Sequence, residues 1–300
     1  LSGTNSIDTV LTGTTGLAKD GSGELSLTTP NFFTGAVTAN TAGAVIKAAF
    51  LDDNSSSLGA GSLSDPTKLQ LGAGAALEFT GTTNTVSSRS FTLTDSAGIA
   101  AGVGAGTLTL GALNTYGGAT TIGDGTLAFT ANQTLAAATN TLLFGATAAS
   151  TTPGNLVLTA DTTFGGAMIV NTNSATASQI TIGSGKTLTF NANVQIGATT
   201  PAVASTVTKL TLNGGGVFNV TTAAAGAFTV GGSTSTTLAQ DTTLDLTALA
   251  STTINTSTTG TLRVNPSSGT NINGAKATLL LPAPVVADTV ATATVTAGTI

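Results

Sequence analysis

The chain is written in runs of three to six residues in which apolar and small polar side chains alternate. Examples are LSL at 25–27, LTL at 108–110, LVL at 156–158, ITI at 180–182, LTF at 188–190 and LTLN at 210–213. Gly, Asn, Ser, Asp or Pro closes each run. A period of two belongs to strands with one buried face, and runs this short leave only a few side chains to bury. Helical periodicity is not sustained anywhere. Even the Ala-rich stretch Thr222–Phe228 is broken by Gly226 and flanked by β-branched residues. The chain therefore reads as all-β, and its small strands need one another to build a core.

The runs recur in longer copies. GELSLTTPNFFTG at 23–35 aligns without a gap on GTLTLGALNTYGG at 106–118. The alignment sets Leu25 on Leu108, Leu27 on Leu110, Asn31 on Asn114, Phe33 on Tyr116 and Gly35 on Gly118. NLVLTADTTFGGA at 155–167 repeats the pattern, with Phe164 and Gly166 in the last two of those places and Thr162 in the Asn place. IGDGTLAF at 122–129 returns as IGSGKTLTF at 182–190. The copies are unevenly spaced, and insertions such as 52–65 read as loops between them.

Copies of this kind favour a solenoid over a sandwich, because stacking neighbours is what buries a repeat's apolar face. Small side chains suit a narrow interior, and Gly at matching places suits repeated corners. At about 20–25 residues per rung the chain makes about 12–15 rungs. At about 4.8 Å per rung, that is a rod of about 60–70 Å. The whole of 1–300 reads as one such segment.

The pattern G-x-L-x-L-x-x-x-N-x-[YF]-x-G-x-[TV]-T followed by I-G-x-G-T-L resembles the autotransporter-associated β-strand repeat. Residues 16–47 and 98–129 are the better copies and 155–170 is a degenerate one; the second half of the chain is similar only in its Thr/Gly-rich style. The resemblance implies a right-handed parallel β-helix on the bacterial cell surface, outside the cell. The repeat is a scaffold, so no activity comes with it. The opening LSGTN and the closing TAGTI look like the middle of repeats, which suggests a piece of a longer array.

Composition narrows the chemistry. With no His and no Cys, Ser-His-Asp, Cys-His and the usual zinc sites have no residues to use. Eight Lys plus Arg scattered singly in a chain of net charge −5 give no basic patch for nucleic acid. The most apolar window, LLLPAPVV at 279–286, is far shorter than the roughly 20 residues of a membrane span. Thirteen acidic residues leave a paired-carboxylate reading, with Asp52 beside Asp53 and Asp241 four residues before Asp245; solvated turn positions are the favoured account of such residues. Asp52, Asp53 and Asp124 are weak calcium candidates, although Ser184 replaces Asp124 in the second copy. Thr-x-Thr at 107–109, 187–189 and 206–208 suggests a flat hydroxyl array, but the spacing between these runs is uneven. Phe32, Phe33 and Tyr116 could stack on sugars, while the shared repeat place of Phe33, Tyr116 and Phe164 suits a structural corner.

The function expected from these features is structural and non-enzymatic, with no cofactor. The chain reads as a β-solenoid building block of an extracellular fibre, filament or passenger stalk. It would self-associate into homo-oligomers through β-edges and neutral Thr/Ser/Asn faces. The alternative is an adhesin that binds glycans or surfaces through a groove built from 52–65 or 146–155. A carbohydrate-active β-helix is the third reading.

Overall fold

A computed structural model gives the fold. It describes residues 3–53, 55–61, 65–72, 74–83, 85–87, 92–93, 98–101, 106–111, 113–116, 118–123, 125–135, 137–145, 151, 153–197, 206–222, 226–233, 240–256, 260–267, 276–282 and 292–296. The chain is a parallel β-solenoid. One long sheet of eleven strands runs the length of the described structure, from Thr4–Ile7 to Thr261–Ser267. A second sheet of eight strands runs from Thr85–Ser87 to Lys276–Leu280. The third face is divided into a five-stranded sheet ending at Thr115–Tyr116 and a six-stranded one beginning at Gln133–Leu135. From Ala76–Phe79 onward the chain visits the long sheet, the second sheet and the third face in turn, and then repeats. The exception to parallel pairing among the described residues is a small hairpin, Leu51–Asp52 with Ser55–Ser56.

The alternation in the sequence becomes alternation of burial. In Ala44–Ala48 every second side chain is buried, and the same holds in Asn155–Leu158, Thr187–Phe190 and Thr206–Asn213. Register then places inward residues of successive rungs on one another. On the second sheet one column reads Leu108, Leu127, Leu156, Ile180, Leu212. A neighbouring column reads Leu110, Phe129, Leu158, Ile182. On the third face Leu135, Phe164, Phe190, Val220 and Ile254 follow one another. Phe164 and Phe190 stack with centroids 5.2 Å apart and planes 9° from parallel, and Phe218 meets Phe190 edge-on at 6.2 Å. These rings are fully buried. Offset and edge-on pairs of this kind add about 0.5–1.5 kcal/mol beyond the area they bury.

The rungs are not of one size. Partners in the long sheet lie 20 residues apart at Thr4 and Glu24, 21 at Ile99 and Thr120, and 22 at Thr120 and Leu142. The step rises to 26 at Leu142 and Met168 and to 34 at Val194 and Phe228. The described residues make eleven rungs, fewer than the 12–15 that a constant length implies, and the described rod is about 50 Å long. One early step of 31 residues, from Val45 to Ala76, holds the insertion, and the last rungs spend more chain per turn again.

The structure also separates sequence copies that align. Gly23–Leu27 belongs to the long sheet, where it pairs with Ala44–Ala48. Thr107–Leu110 belongs to the second sheet, between Thr85–Ser87 and Thr126–Phe129. Asn155–Leu158 also lies in the second sheet, two rungs further on. The first copy is therefore displaced by one face, and Phe33 and Tyr116 do not stack in one column. Phe33 is buried in the stretch between the long sheet and the third face, whereas the Tyr116 backbone pairs with Leu93 on the third face. The displaced copy keeps its place through backbone bonds to its neighbours: Phe32 N–H to Leu11 O at 2.8 Å, Thr34 N–H to Gly13 O at 2.9 Å, and Ala60 N–H to Phe33 O at 2.8 Å.

Replacing Phe190 with Ala opens a void in the middle of the aromatic column. The expected loss of stability is about 3–5 kcal/mol, read as a lowered urea midpoint of the whole chain.

Candidate functional site

The corners come first, because they decide whether rungs can stack. Asn31 is 2 % exposed and ties three rungs together. Its Oδ1 accepts from Leu11 N–H at 2.7 Å, and its Nδ2 donates to Ser57 O at 2.8 Å and to Thr29 O at 3.3 Å. Asn114 is buried as well. Its backbone N–H donates to Gln133 Oε1 at 3.0 Å, and Gln133 Nε2 donates to Ala131 O at 3.1 Å. Asn140 repeats the device between rungs, donating to Gly118 O at 3.1 Å and accepting from Ala137 N–H at 2.7 Å. A buried amide at a corner supplies a donor and an acceptor where the backbone ladder breaks.

The repeat glycines stand where backbones touch. A Cβ on Gly35 would lie 2.1 Å from Gly16 N, and one on Gly166 would lie 2.5 Å from Asn140 C. No side chain fits at either place, so each is a packing requirement of the stack.

The aspartates singled out by the sequence do not converge among the described residues. Among the described residues no group of three could hold a metal ion. Asp52 and Asp53 lie at the small hairpin, and Asp124 is outside the described residues. Asp241 and Asp245 face outward four residues apart on one strand, a separation of about 13 Å in extended chain. That is wider than the roughly 5–10 Å of a glycosidase pair. Asp245 accepts from the backbone N–H and hydroxyl of Thr247 at 2.9 and 2.7 Å, as turn residues do.

Two other carboxylates do meet, across a lysine. Lys47 Nζ lies 3.0 Å from Glu24 Oε1 and 3.7 Å from Glu78 Oε2, so one cation sits between anions of the rungs on either side. Its ammonium, by hydrogen bonding, holds the Glu24 carboxyl below its usual 4.5 against the effect of burial, and Thr4 adds to the lowering. Burial alone would depress Lys47; the two carboxylates outweigh it and raise it above 10.5. A carboxylate kept ionised in this way is the opposite of a general acid.

The expected loops and arrays change character. Residues 56–59 turn inward: Ser57 and Leu58 are buried, and Ser57 Oγ donates to Leu27 O at 3.0 Å. Part of the insertion thus completes a rung, which removes it from a binding groove. Residues 146–150 and 152 lie outside the described residues. Thr107 and Thr109 face outward on the second sheet, Thr187 and Thr189 outward on the third face, and Thr206 and Thr208 inward. The three Thr-x-Thr runs share no plane. A hydroxyl column does exist where the short motif did not show it: Thr134, Thr163, Thr189, Asn219 and Thr253 are in register on the third face.

The two ends of the stack differ. Among the described residues Thr4–Ile7 pairs with Gly23–Leu27 alone, with Ile7, Leu11 and Leu17 partly buried against the core behind it. Lys19 occupies the column above Ala39 and Leu71. It is 6 % exposed, and its ammonium donates to Asp20 O at 3.2 Å and to Gly21 O. At the other end Val264, in register with Val230, is 44 % exposed, Leu279 lies above Leu244, and among the described residues their strands likewise pair on one side only. The chain has no match among family models, curated proteins or solved structures.

Folding lowers the Glu24 pKa, so its contribution to stability is complete above 4.5 and is lost as pH falls through the lower folded-state value. Lys47→Met is therefore expected to shrink the drop in urea midpoint between about pH 7 and about pH 3. An unchanged drop would show the triad contributes nothing to acid sensitivity. Asn31→Ala leaves Leu11 N–H and Ser57 O without their buried partner. It is expected to cost about 2–4 kcal/mol, measured by chemical denaturation.

Proposed function

We propose that the chain is a structural building block, a β-solenoid segment of an extracellular fibre or stalk that associates end to end with further rungs of its own kind. One observation carries the reading. Among the described residues both ends of the stack present unpaired strand edges backed by the apolar column, with Val264 exposed above Val230 and Leu279 above Leu244 at one end, and Ile7, Leu11 and Leu17 behind the edge at the other. Exposed edges of this kind are templates for further strands.

The difference between the ends sets the direction. Stacking two N-terminal ends would enclose two Lys19 charges at one joint, and an inward charge is a device that blunts an edge. Joining unlike ends meets no such repulsion. A head-to-tail contact that does not close on itself produces a filament. The outer faces add little charge to resist lateral contact, as in the column from Thr134 to Thr253. The repeat pattern, with its likeness to surface passengers, supports the extracellular setting.

The test is the state of the purified chain. Sedimentation and negative-stain microscopy are expected to show linear assemblies that lengthen with concentration. Val264→Lys with Leu279→Lys is expected to weaken assembly by about tenfold or more while leaving the circular dichroism spectrum of a β protein intact. A chain that stays monomeric at every concentration defeats the reading.

A further inference from the structure

The inward columns of the narrow rungs are mostly apolar, with single buried polar side chains such as Thr120, Gln133 and Thr162, and the polar residues gather into a cluster where the rungs become longest. Ser178 pairs with Leu210, so Thr206–Lys209 extend the second sheet beyond the strand of the preceding rung. Their inward side chains are Thr206 and Thr208, and the next rung sets Gln240 and Thr242 directly on them. All four are 0–1 % exposed. An added stretch of rung that could have carried Leu or Val carries hydroxyls and an amide.

These groups are only partly served by the protein. Thr208 Oγ1 donates to Thr172 O at 2.7 Å. Both polar side-chain atoms of Gln240, together with the hydroxyls of Thr242, Thr172 and Ser178, are buried without a hydrogen-bond partner among the described residues. Gly197 faces them with φ at +100°. A Cβ there would lie 2.9 Å from Gln240 Oε1 and 2.9 Å from Thr242 Oγ1. The glycine keeps both its backbone conformation and the space beside the amide. Each unmade hydrogen bond in a dry interior carries a desolvation penalty, and several together in one place make a dry interior untenable.

We infer that the widened rungs enclose a structural water site, in which bound water joins the Gln240 amide and the Thr242 hydroxyl to Thr172 in the rungs before them. The chemistry selects water over an ion. The groups facing one another are hydroxyls and an amide, which both donate and accept. Thr172, Ser178, Thr206, Thr208, Gln240 and Thr242 bring no charge that would hold a cation or an anion. Water with two to four such partners is an ordinary component of protein interiors.

Oxygen-17 magnetic relaxation dispersion of the whole chain reads long-lived internal water directly. The wild type is expected to show it, and Gln240→Met with Thr242→Val, which keep the shape and remove the polarity, is expected to lower its amplitude. The urea midpoint of the double variant is expected to stay level or fall, because the variant strands the hydroxyl of Thr172. A dry interior gives the reverse: equal amplitudes in both proteins and a higher midpoint in the variant, and that pair of results overturns the proposal. If the double variant does not fold, Thr242→Val alone is expected to lower the amplitude, and an unchanged amplitude there overturns it as well.

Discussion

Everything in this molecule depends on register between one rung and the next. The parallel ladder fixes which residue lies above which, and a slip by one position would turn every inward Leu outward. In Leu108, Leu127, Leu156, Ile180 and Leu212 the column survives five rungs although the chain between its members varies in length. Corners absorb the variation. Buried Asn31, Asn114 and Asn140 carry hydrogen bonds across rungs where the ladder is interrupted, and Gly35 and Gly166 let backbones touch where a side chain would hold them apart. The apolar column stabilises the stack, and these corners keep it in step.

The strands and their inward faces were legible because period two is a local property. Leu108 and Leu110, or Leu156 and Leu158, declare their face from three residues of sequence. The face of the prism that a strand occupies is not local. Residues 23–35 and 106–118 share spacing, glycine and amide, and still stand one face apart. The motif specifies a strand, a corner and another strand, a shape that fits any side of the coil. Which side is used follows from hydrogen bonds to rungs twenty or more residues away, as between Phe32 and Leu11 or Phe33 and Ala60. The same reasoning explains the insertion at 52–65. Its polarity suggested a loop, but Ser57 and Leu58 are claimed by Leu27, Asn31 and the core, contacts that sequence spacing does not record.

The candidate site divides in the same way. Scattered carboxylates and a lack of His and Cys could be read from composition, and the structure keeps Asp241 and Asp245 apart. The unlike ends could not be read. Lys19 looks like any other lysine until register places it above Ala39 and Leu71. Nor could the polar interior of the widened rungs be seen, since Thr206, Thr208 and Thr242 alternate just as outward threonines do in Thr107–Leu110. Only burial on a strand longer than its neighbour distinguishes them.

The scarcity of charge follows from stacking itself. Outward side chains also form columns, with members about 4.8 Å apart. Like charges at that spacing repel by roughly 0.9 kcal/mol per neighbour even in water, and a residue within a column has two neighbours. A column of one sign would therefore oppose the stack along its whole length. Two arrangements avoid this. Opposite signs can be paired, as where Lys47 lies in register with Glu78 and reaches Glu24 of the preceding rung on a diagonal, or the column can be neutral, as from Thr134 through Thr163, Thr189 and Asn219 to Thr253. The neutral column needs no matching of partners and tolerates rungs of any length, so it suits a coil whose steps grow from 20 to 34 residues. A Thr-rich, nearly uncharged surface is thus a consequence of one-dimensional repetition. It also leaves the flanks free of the repulsion that would keep two such rods apart.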